Sequence, residues 1–148
     1  TAVMPIDSKS WNILNNMSFR IIQLENLDVN VEYQNDLIKL SFINASVKKT
    51  MEDAEQKTLW HQDGSIIMKS SLKESFRLKN KEKIISFNIS FDFYTYKNML
   101  ILPFNKKGRL LIEFNLLNRN DVYSISCSEV NLIEEGDPRY IKHISKTE

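Results

Sequence analysis

The chain has 148 residues, of which 42% are hydrophobic and 26% charged, values typical of a single globular domain spanning residues 1–148. Its formal net charge of +1 argues against a protein built mainly to hold nucleic acid or an anionic membrane. Only three Ala stand against seventeen Ile, fifteen Leu and eight Phe, which excludes an Ala-rich helical bundle and favours strands.

The first elements in chain order are predicted to be strands. One strand is expected over residues 18–23. Leu27, Val29 and Val31 then alternate with polar residues, which is the period of a half-buried strand. The alternation resumes at residues 38–42 after the polar residues 34–36, so this stretch predicts a β-hairpin.

The middle of the chain carries helix, turn and charge signals. Thr50 and Asp53 have the spacing of a capping box, which predicts a short helix over residues 50–58. Asp63-Gly64 predicts a two-residue turn between strands at residues 58–61 and 65–68. Residues 69–83 are rich in lysine and fit either a strand or a loop; a solvated basic edge is favoured there over a nucleic-acid surface.

The second half of the chain reads as strands and turns. The clearest strand covers residues 85–93, where large apolar residues occupy every second position. Further strands are predicted over residues 99–104, 110–116, 122–133 and 140–144, with turns at 105–108, 118–121 and 134–139. The predicted fold is mostly β: a single antiparallel β-sandwich or strongly curved sheet of about nine strands with one short helix.

Residues that could carry chemistry are few. His61 and His143 are far apart in sequence and lack metal-ligand spacing, and Cys127 has no second cysteine. The acidic pairs Glu52-Asp53 and Glu134-Glu135 lack the oxygen-rich loop of an EF-hand. The sequence therefore predicts no enzyme activity, no catalytic residues, no metal site and no cofactor. It also contains no apolar stretch near the ~20 residues that a transmembrane helix needs.

Three glycosylation sequons begin at Asn16, Asn44 and Asn88. They are compatible with a secreted or extracytoplasmic location, which is the predicted compartment, with a cytoplasmic location as the alternative.

Three segments resemble the juvenile-hormone-binding/takeout family of lipid carriers. Residues 96–118 contain Leu102-Pro103 and Lys107-Gly108 in the order and spacing of that family's Leu-Pro strand and following turn. Residues 27–47 resemble its first hairpin, and Glu135-Gly136 with the following residues resembles a later turn and strand. The chain differs from the family in lacking its N-terminal cysteine pair and its long helix. The resemblance implies an extracellular carrier that holds a hydrophobic ligand without catalysis.

The apolar strand faces suggest two functions from different classes. In the first, a non-enzymatic binding protein holds a hydrophobic, lipid-like ligand against a concave apolar sheet. The residues expected to line that site are Phe87, Ile89, Phe91, Leu100, Leu102, Ile112 and Phe114. In the second, a structural or protein-interaction β module acts through its surface or by self-association. The expected partner is thus a hydrophobic small molecule or a protein, with no nucleic acid and no transmembrane segment. The oligomeric state is left open, as is the choice between a hollow and a filled interior.

Overall fold

A computed structural model describes residues 19–50, 57–70 and 78–144. These residues form nine strands and no helix. The strands are β1 (Arg20–Gln23), β2 (Leu27–Gln34), β3 (Leu37–Thr50), β4 (Lys57–Lys69), β5 (Lys81–Phe91), β6 (Tyr94–Lys97), β7 (Met99–Leu102), β8 (Asn105–Leu116) and β9 (Val122–Ile144). The prediction of a mostly β, antiparallel fold of about nine strands is confirmed. No helix of the described part is long and apolar enough to cross a membrane.

Six of the strands form a closed ring, which we call the barrel. The pairings run β2–β5–β8–β9–β4–β3, and β3 pairs again with β2 through the predicted hairpin. All of these pairings are antiparallel. Because the ring closes, the strand segments within it have a hydrogen-bonded neighbour on each side, which removes the exposed edges that an open sheet would present.

The remaining strands extend the sheet beyond this ring. β1 pairs with the end of β3 on the same side that β2 uses at the beginning of β3, and β7 pairs with β1. β6 pairs with β5. Asn98 separates β6 from β7 with φ of 58°, and its Oδ1 accepts a hydrogen bond of 2.8 Å from the backbone N–H of Phe87. This turn directs β6 to β5 and β7 to β1.

The interior is filled by large apolar side chains of alternating strand positions. Phe87 and Phe114 stack with ring centroids 6.0 Å apart, and each is 1% exposed. Phe104 and Tyr96 meet edge to face at 5.3 Å. Burial of such side chains supplies the main favourable free energy of folding, at about 1.5–3 kcal/mol for each large residue.

The predicted turn at Asp63-Gly64 is wrong, because both residues lie inside the continuous strand β4. A Cβ on Gly64 would lie 2.4 Å from the carbonyl oxygen of Ile133 and 3.0 Å from Cζ of Phe42. Glycine is therefore needed at this position for close packing between neighbouring strands, and not for a turn.

Two further predicted turns are also strand. Residues 134–139 belong to β9, which runs unbroken through both of the strands predicted at 122–133 and 140–144. Residues 105–108 begin β8, where Gly108 adopts φ of 138° at a register shift against β9. In both places glycine serves a β-bulge within a strand, a role that uses the same backbone freedom as a turn.

The other local predictions are in part confirmed, in part wrong and in part untested. The turn at 118–121 is confirmed, since β8 ends at Leu116 and β9 begins at Val122. Residues 51–56 of the predicted helix lie outside the described residues, while Thr50, Lys57 and Thr58 at its ends are strand. Phe93, predicted on the apolar face of its strand, lies instead in the turn after β5 and is 92% exposed.

Candidate interaction edge and clefts

Two strands, β3 and β9, bulge on either side of β4 at the same level of the sheet. The register of β3 against β4 shifts between Phe42 and Ala45, where Asn44 adopts φ of 57°. The register of β4 against β9 shifts between His61 and Asp63, so that Gln62 stands opposite residues 136–138. Extra residues bend a strand and increase its local twist. We call this level the bulge layer (residues 43–44, 62–63 and 136–138).

An ion pair joins the strands of the bulge layer on its outer side. Arg139 donates a hydrogen bond of 2.8 Å to Oδ1 of Asp63 and also bonds to Oδ1 of Asn44. The backbone N–H of Asn44 donates to the same Asp63 carboxylate at 2.9 Å. These donors hold the pKa of Asp63 below its ordinary value, with the Arg139 hydrogen bond as the largest cause. The side chains are partly exposed, so the pair positions the strands more than it stabilises the fold.

A buried amide satisfies the backbone on the inner side of the bulge layer. Gln62 is 1% exposed, and its Nε2 donates to the carbonyl oxygens of Asp63, Glu135 and Gly136 at 2.9–3.1 Å. A bulge leaves carbonyl groups without a ladder partner, and burying them unpaired costs about 1–3 kcal/mol each. Gln62 therefore supplies hydrogen bonds to carbonyl groups of the bulged β9 backbone that the ladder with β4 leaves without a partner.

The second half of β9 has a neighbour on one side only. Residues 129–144 of β9 pair with β4, whereas the pairing with β8 ends at Asn131. Within the described part of the chain, no strand pairs with the other side of residues 133–144. We call this segment the free edge. An unpaired strand edge presents backbone N–H and C=O groups, and here the carbonyl oxygens of Glu135 and Gly136 are bound by Gln62.

The free edge combines exposed apolar side chains with a polarised charge pattern. Ile133, Tyr140 and Ile141 are 43%, 55% and 43% exposed. Acidic residues occupy its first part, at positions 134, 135 and 137, and basic residues its second part, at positions 139 and 142. Exposed large apolar residues on an unpaired strand edge are features of surfaces that bind another chain.

A small cleft lies beside the free edge. It has a volume of about 300 Å³ and is lined by Arg20, Val47, Lys49, Trp60, Gln62 and Pro138. The Trp60 ring meets that of Tyr140 edge to face at 5.3 Å, and its Nε1 donates to Oγ1 of Thr58 at 2.8 Å. Arg20 forms an ion pair with Glu134, a residue of the free edge. The cleft thus offers one aromatic wall and two cationic groups.

Two larger clefts lie on the outside of the barrel and are more open. One, of about 790 Å³, lies at the bulge layer and has Lys79, Lys81 and Lys83 together with Asp28 and Asp63 in its walls. The other, of about 680 Å³, lies beside the exposed Phe93 and the bulge at Gly108. Mixed charges in the first and shallow walls in the second give neither a distinct ligand chemistry.

Six of the seven residues predicted to line a ligand site are buried in the core. Phe87, Ile89, Leu100, Leu102, Ile112 and Phe114 are each at most 5% exposed. Phe91 is partly buried and packs against the core, with Nζ of Lys106 5.8 Å from its ring centroid. The structure therefore brings these residues together in one hydrophobic core, as the alternation predicted. None of them lines any of the three clefts described above.

The remaining candidate residues lie apart from one another. Cys127 is buried on β9, while His61 and His143 occupy separate positions of the β4–β9 pair. Glu134 is bound by Arg20, and Glu135 accepts a hydrogen bond of 3.1 Å from Ser65. Glu52-Asp53 lies outside the described residues. Within residues 19–50, 57–70 and 78–144, no group of three or more metal-binding side chains occurs.

The sequons fall in different surroundings. Asn44 is exposed in the bulge layer. Asn88 lies within β5, and its Oδ1 is buried without a hydrogen-bond partner among the described residues. Asn16 lies outside the described residues. Of the two described sites, Asn44 is therefore the more accessible to a glycosyl transferase, and glycosylation stays a prediction.

Comparisons with protein-family models, with curated proteins and with solved structures found no match. The resemblance to the juvenile-hormone-binding/takeout family stays a prediction. The free edge was missed by sequence reasoning, which placed a turn at residues 134–139. Its one signal in the sequence is the change from acidic to basic residues within positions 134–142.

Proposed function

We propose that this protein is a non-enzymatic interaction module that binds an extended segment of a partner protein as an added strand on the free edge of β9. The observation that carries the proposal is the edge itself, residues 133–144, which has β4 on one side and no described strand on the other. In strand addition, main-chain hydrogen bonds supply affinity and alternate side chains supply specificity.

Two features of the free edge suit this mode of binding. The ion pair of Arg139 with Asp63 and the hydrogen bonds of Gln62 hold the bulged backbone of β9 in place before a partner arrives. A preordered edge loses little conformational entropy on binding. The exposed side chains of Tyr140 and Ile141 supply apolar contact area to an incoming strand.

The packing of the interior supports a surface function. The side chains expected to face a ligand are buried against one another, with Phe114 stacked between Phe87 at 6.0 Å and Tyr123 at 5.6 Å. Protein interiors are close-packed, and a lipid in this core would have to displace such contacts. The free edge requires no displacement of this kind.

The test is a selection of random extended peptides on the purified full chain. Ile141→Pro removes one backbone N–H at a residue that has no opposite residue on β4, since the register passes from Trp60–Tyr140 to Leu59–Lys142. Ile141→Thr is the matched control, because it keeps the N–H. We expect selected peptides to bind wild type and Ile141→Thr alike and to bind Ile141→Pro at least about tenfold more weakly, a difference of about 1.4 kcal/mol.

A second measurement distinguishes a loss of peptide binding from a loss of folding. Circular dichroism and the unfolding midpoint of Ile141→Pro show whether the variant is folded. In the peptide complex, backbone hydrogen exchange is expected to slow at residues 133–144. Peptides that bind all three proteins equally, or that protect another strand instead, would overturn the proposal.

The cleft beside the free edge favours a second candidate function, the binding of a hydrophobic ligand with an acidic headgroup. Its volume of about 300 Å³ is at the lower end of ligand sites, and Lys49 is suited to a carboxylate while Trp60 supplies an apolar wall. Titration with dodecanoate is expected to change the fluorescence of wild type saturably. Trp60→Phe should lose that change and Lys49→Glu should weaken it. A titration without saturation would contradict this candidate.

A further inference from the structure

We infer that the partner that fits the free edge is a second copy of this chain, paired antiparallel about a two-fold axis. This inference rests on the proposed strand addition and names its occupant. The free edge is acidic at positions 134, 135 and 137 and basic at positions 139 and 142. An antiparallel pair places the acidic part of one copy beside the basic part of the other, whereas a parallel pair in register would place like charges together.

The two charges available for this contact are Asp137 and Lys142. Glu134 is already bound to Arg20, Arg139 is bound to Asp63, and Glu135 accepts a hydrogen bond from Ser65. Asp137 and Lys142 are both exposed, and neither forms an ion pair with a described residue. A two-fold axis at Arg139 pairs Pro138 of each copy with Tyr140 of the other. Because Ile141 has no opposite residue in the register of β9, Lys142 then lies opposite Asp137, which gives two equivalent ion pairs.

The apolar residues of the free edge are consistent with the same axis. Tyr140 and Ile141 lie next to it, so their exposed side chains come together with those of the second copy at the centre of the contact. Pro138 of one copy lies opposite Tyr140 of the other, which places a proline ring beside an aromatic ring. Apolar contacts near the centre and charges farther out resemble the arrangement of stable protein interfaces.

The two-fold symmetry limits this contact to two chains. A two-fold pair uses the same edge of both copies, so neither copy retains that edge for a third chain. Pro138 and the bulge at residues 136–138 interrupt the regular spacing of backbone groups along the edge. Such interruptions limit open-ended strand pairing, and they restrict this pairing to few registers.

The test is sedimentation equilibrium of the purified full chain and two charge variants, Asp137→Lys and Lys142→Glu. Wild type is expected to form a species of twice the 17.4 kDa mass of one chain. Each variant places like charges opposite each other in its own dimer, so its dissociation constant should rise at least about tenfold. Lys97→Glu, on β6, is the control and should dimerise as wild type does.

Mixing the two variants gives the sharpest result. In a mixed dimer, the lysine introduced at position 137 of one copy would face the glutamate introduced at position 142 of the other. The second ion pair of the mixed dimer would be the native one, between Asp137 and Lys142. The mixture is therefore expected to recover the wild-type dissociation constant.

Three results would each overturn the inference: a monomeric wild type, variants that dimerise normally, or a mixture of the two variants that stays monomeric. The proposed strand addition can be judged separately. If wild type is monomeric while selected peptides still require an intact edge at Ile141, this inference fails and the proposed strand addition stands.

Discussion

The two halves of β9 belong to one strand and have different surroundings. Residues 122–131 pair with β8, and their side chains alternate between exposed or partly buried positions and the core, with Ile125 and Val130 at most 1% exposed. Residues 133–144 lie beside β4 alone, and positions 135–143 are exposed whichever face they occupy. Burial along a strand therefore depends on whether its inner face packs on the core, and not only on the alternation of its sequence.

The largest loss of stability is expected when the aromatic residue that packs on the first half of β9 is truncated. Phe114 stacks on Tyr123 of the first half at 5.6 Å and is 1% exposed. Phe114→Ala should lower the free energy of unfolding by about 3–5 kcal/mol, because it removes a large side chain from a closed core. Urea denaturation monitored by circular dichroism measures this.

The matched substitution in the free edge is Tyr140→Ala. Tyr140 is 55% exposed and meets Trp60 edge to face at 5.3 Å. Loss of this exposed pair should cost about 0.5–1.5 kcal/mol in the monomer. Similar losses for Phe114→Ala and Tyr140→Ala would contradict the distinction between the two halves.

A smaller effect than that of Phe114→Ala is expected at the boundary between the halves. Gly64→Ala places a Cβ 2.4 Å from the carbonyl oxygen of Ile133, which lies in the backbone and cannot move freely. We expect a loss of roughly 1–3 kcal/mol in the free energy of unfolding, as for other overpacked positions. A thermal unfolding curve for each variant tests this.

Gly136→Ala is the control for the effect of glycine alone. A Cβ at Gly136 meets no atom within 4 Å, so the only expected penalty is that of its φ of 74°. This conformation costs a residue with a side chain about 1–2 kcal/mol. If Gly64→Ala is tolerated better than Gly136→Ala, then the close approach of β4 and β9 is not what requires glycine at position 64.

The smallest effect on stability is expected from the ion pair of Arg139 with Asp63, and this effect depends on pH. Because Arg139 and Asn44 lower the pKa of Asp63, the folded state binds this proton less readily than the unfolded chain does. The contribution of Asp63 to stability is therefore present above about pH 4, and it is lost as the pH falls through the lowered pKa.

Asp63→Asn tests this dependence, since asparagine does not titrate. Unfolding by urea is measured for both proteins from neutral to acidic pH. The wild-type advantage should be present at neutral pH and should shrink as the solution becomes more acidic. An advantage that stays constant over the whole pH range would show that charge on Asp63 does not contribute.

The parts of the fold that were predicted correctly depend on local patterns. The hairpin of β2 and β3 follows from strict alternation on both sides of a polar turn, and its register joins Val29 to Phe42 and Gln34 to Leu37. The burial of the large residues on one face of β5 and β8 follows from the same period; these residues are Phe87, Ile89, Ile112 and Phe114. Such alternation is set by backbone geometry, which any strand shares.

The parts that were missed depend on contacts between distant residues. Gly64 reads as a turn residue, but its role is set by Ile133, which is far from it in sequence. Gly136 and Pro138 read as a turn because nothing local reveals that Gln62 binds the bulged backbone. The free edge depends on where β8 stops pairing with β9, which is a property of register. Sequence patterns do not determine it.

The most direct test of the interaction edge is backbone hydrogen exchange of the purified full chain over a range of protein concentrations. We expect amides within residues 133–144 to become more protected from exchange as the protein concentration rises, because a second copy pairs with the free edge. Residues 129–131, which already pair with both β8 and β4, should be equally protected throughout. Exchange at residues 133–144 that does not change with concentration, or a change confined to other strands, would contradict pairing at the free edge.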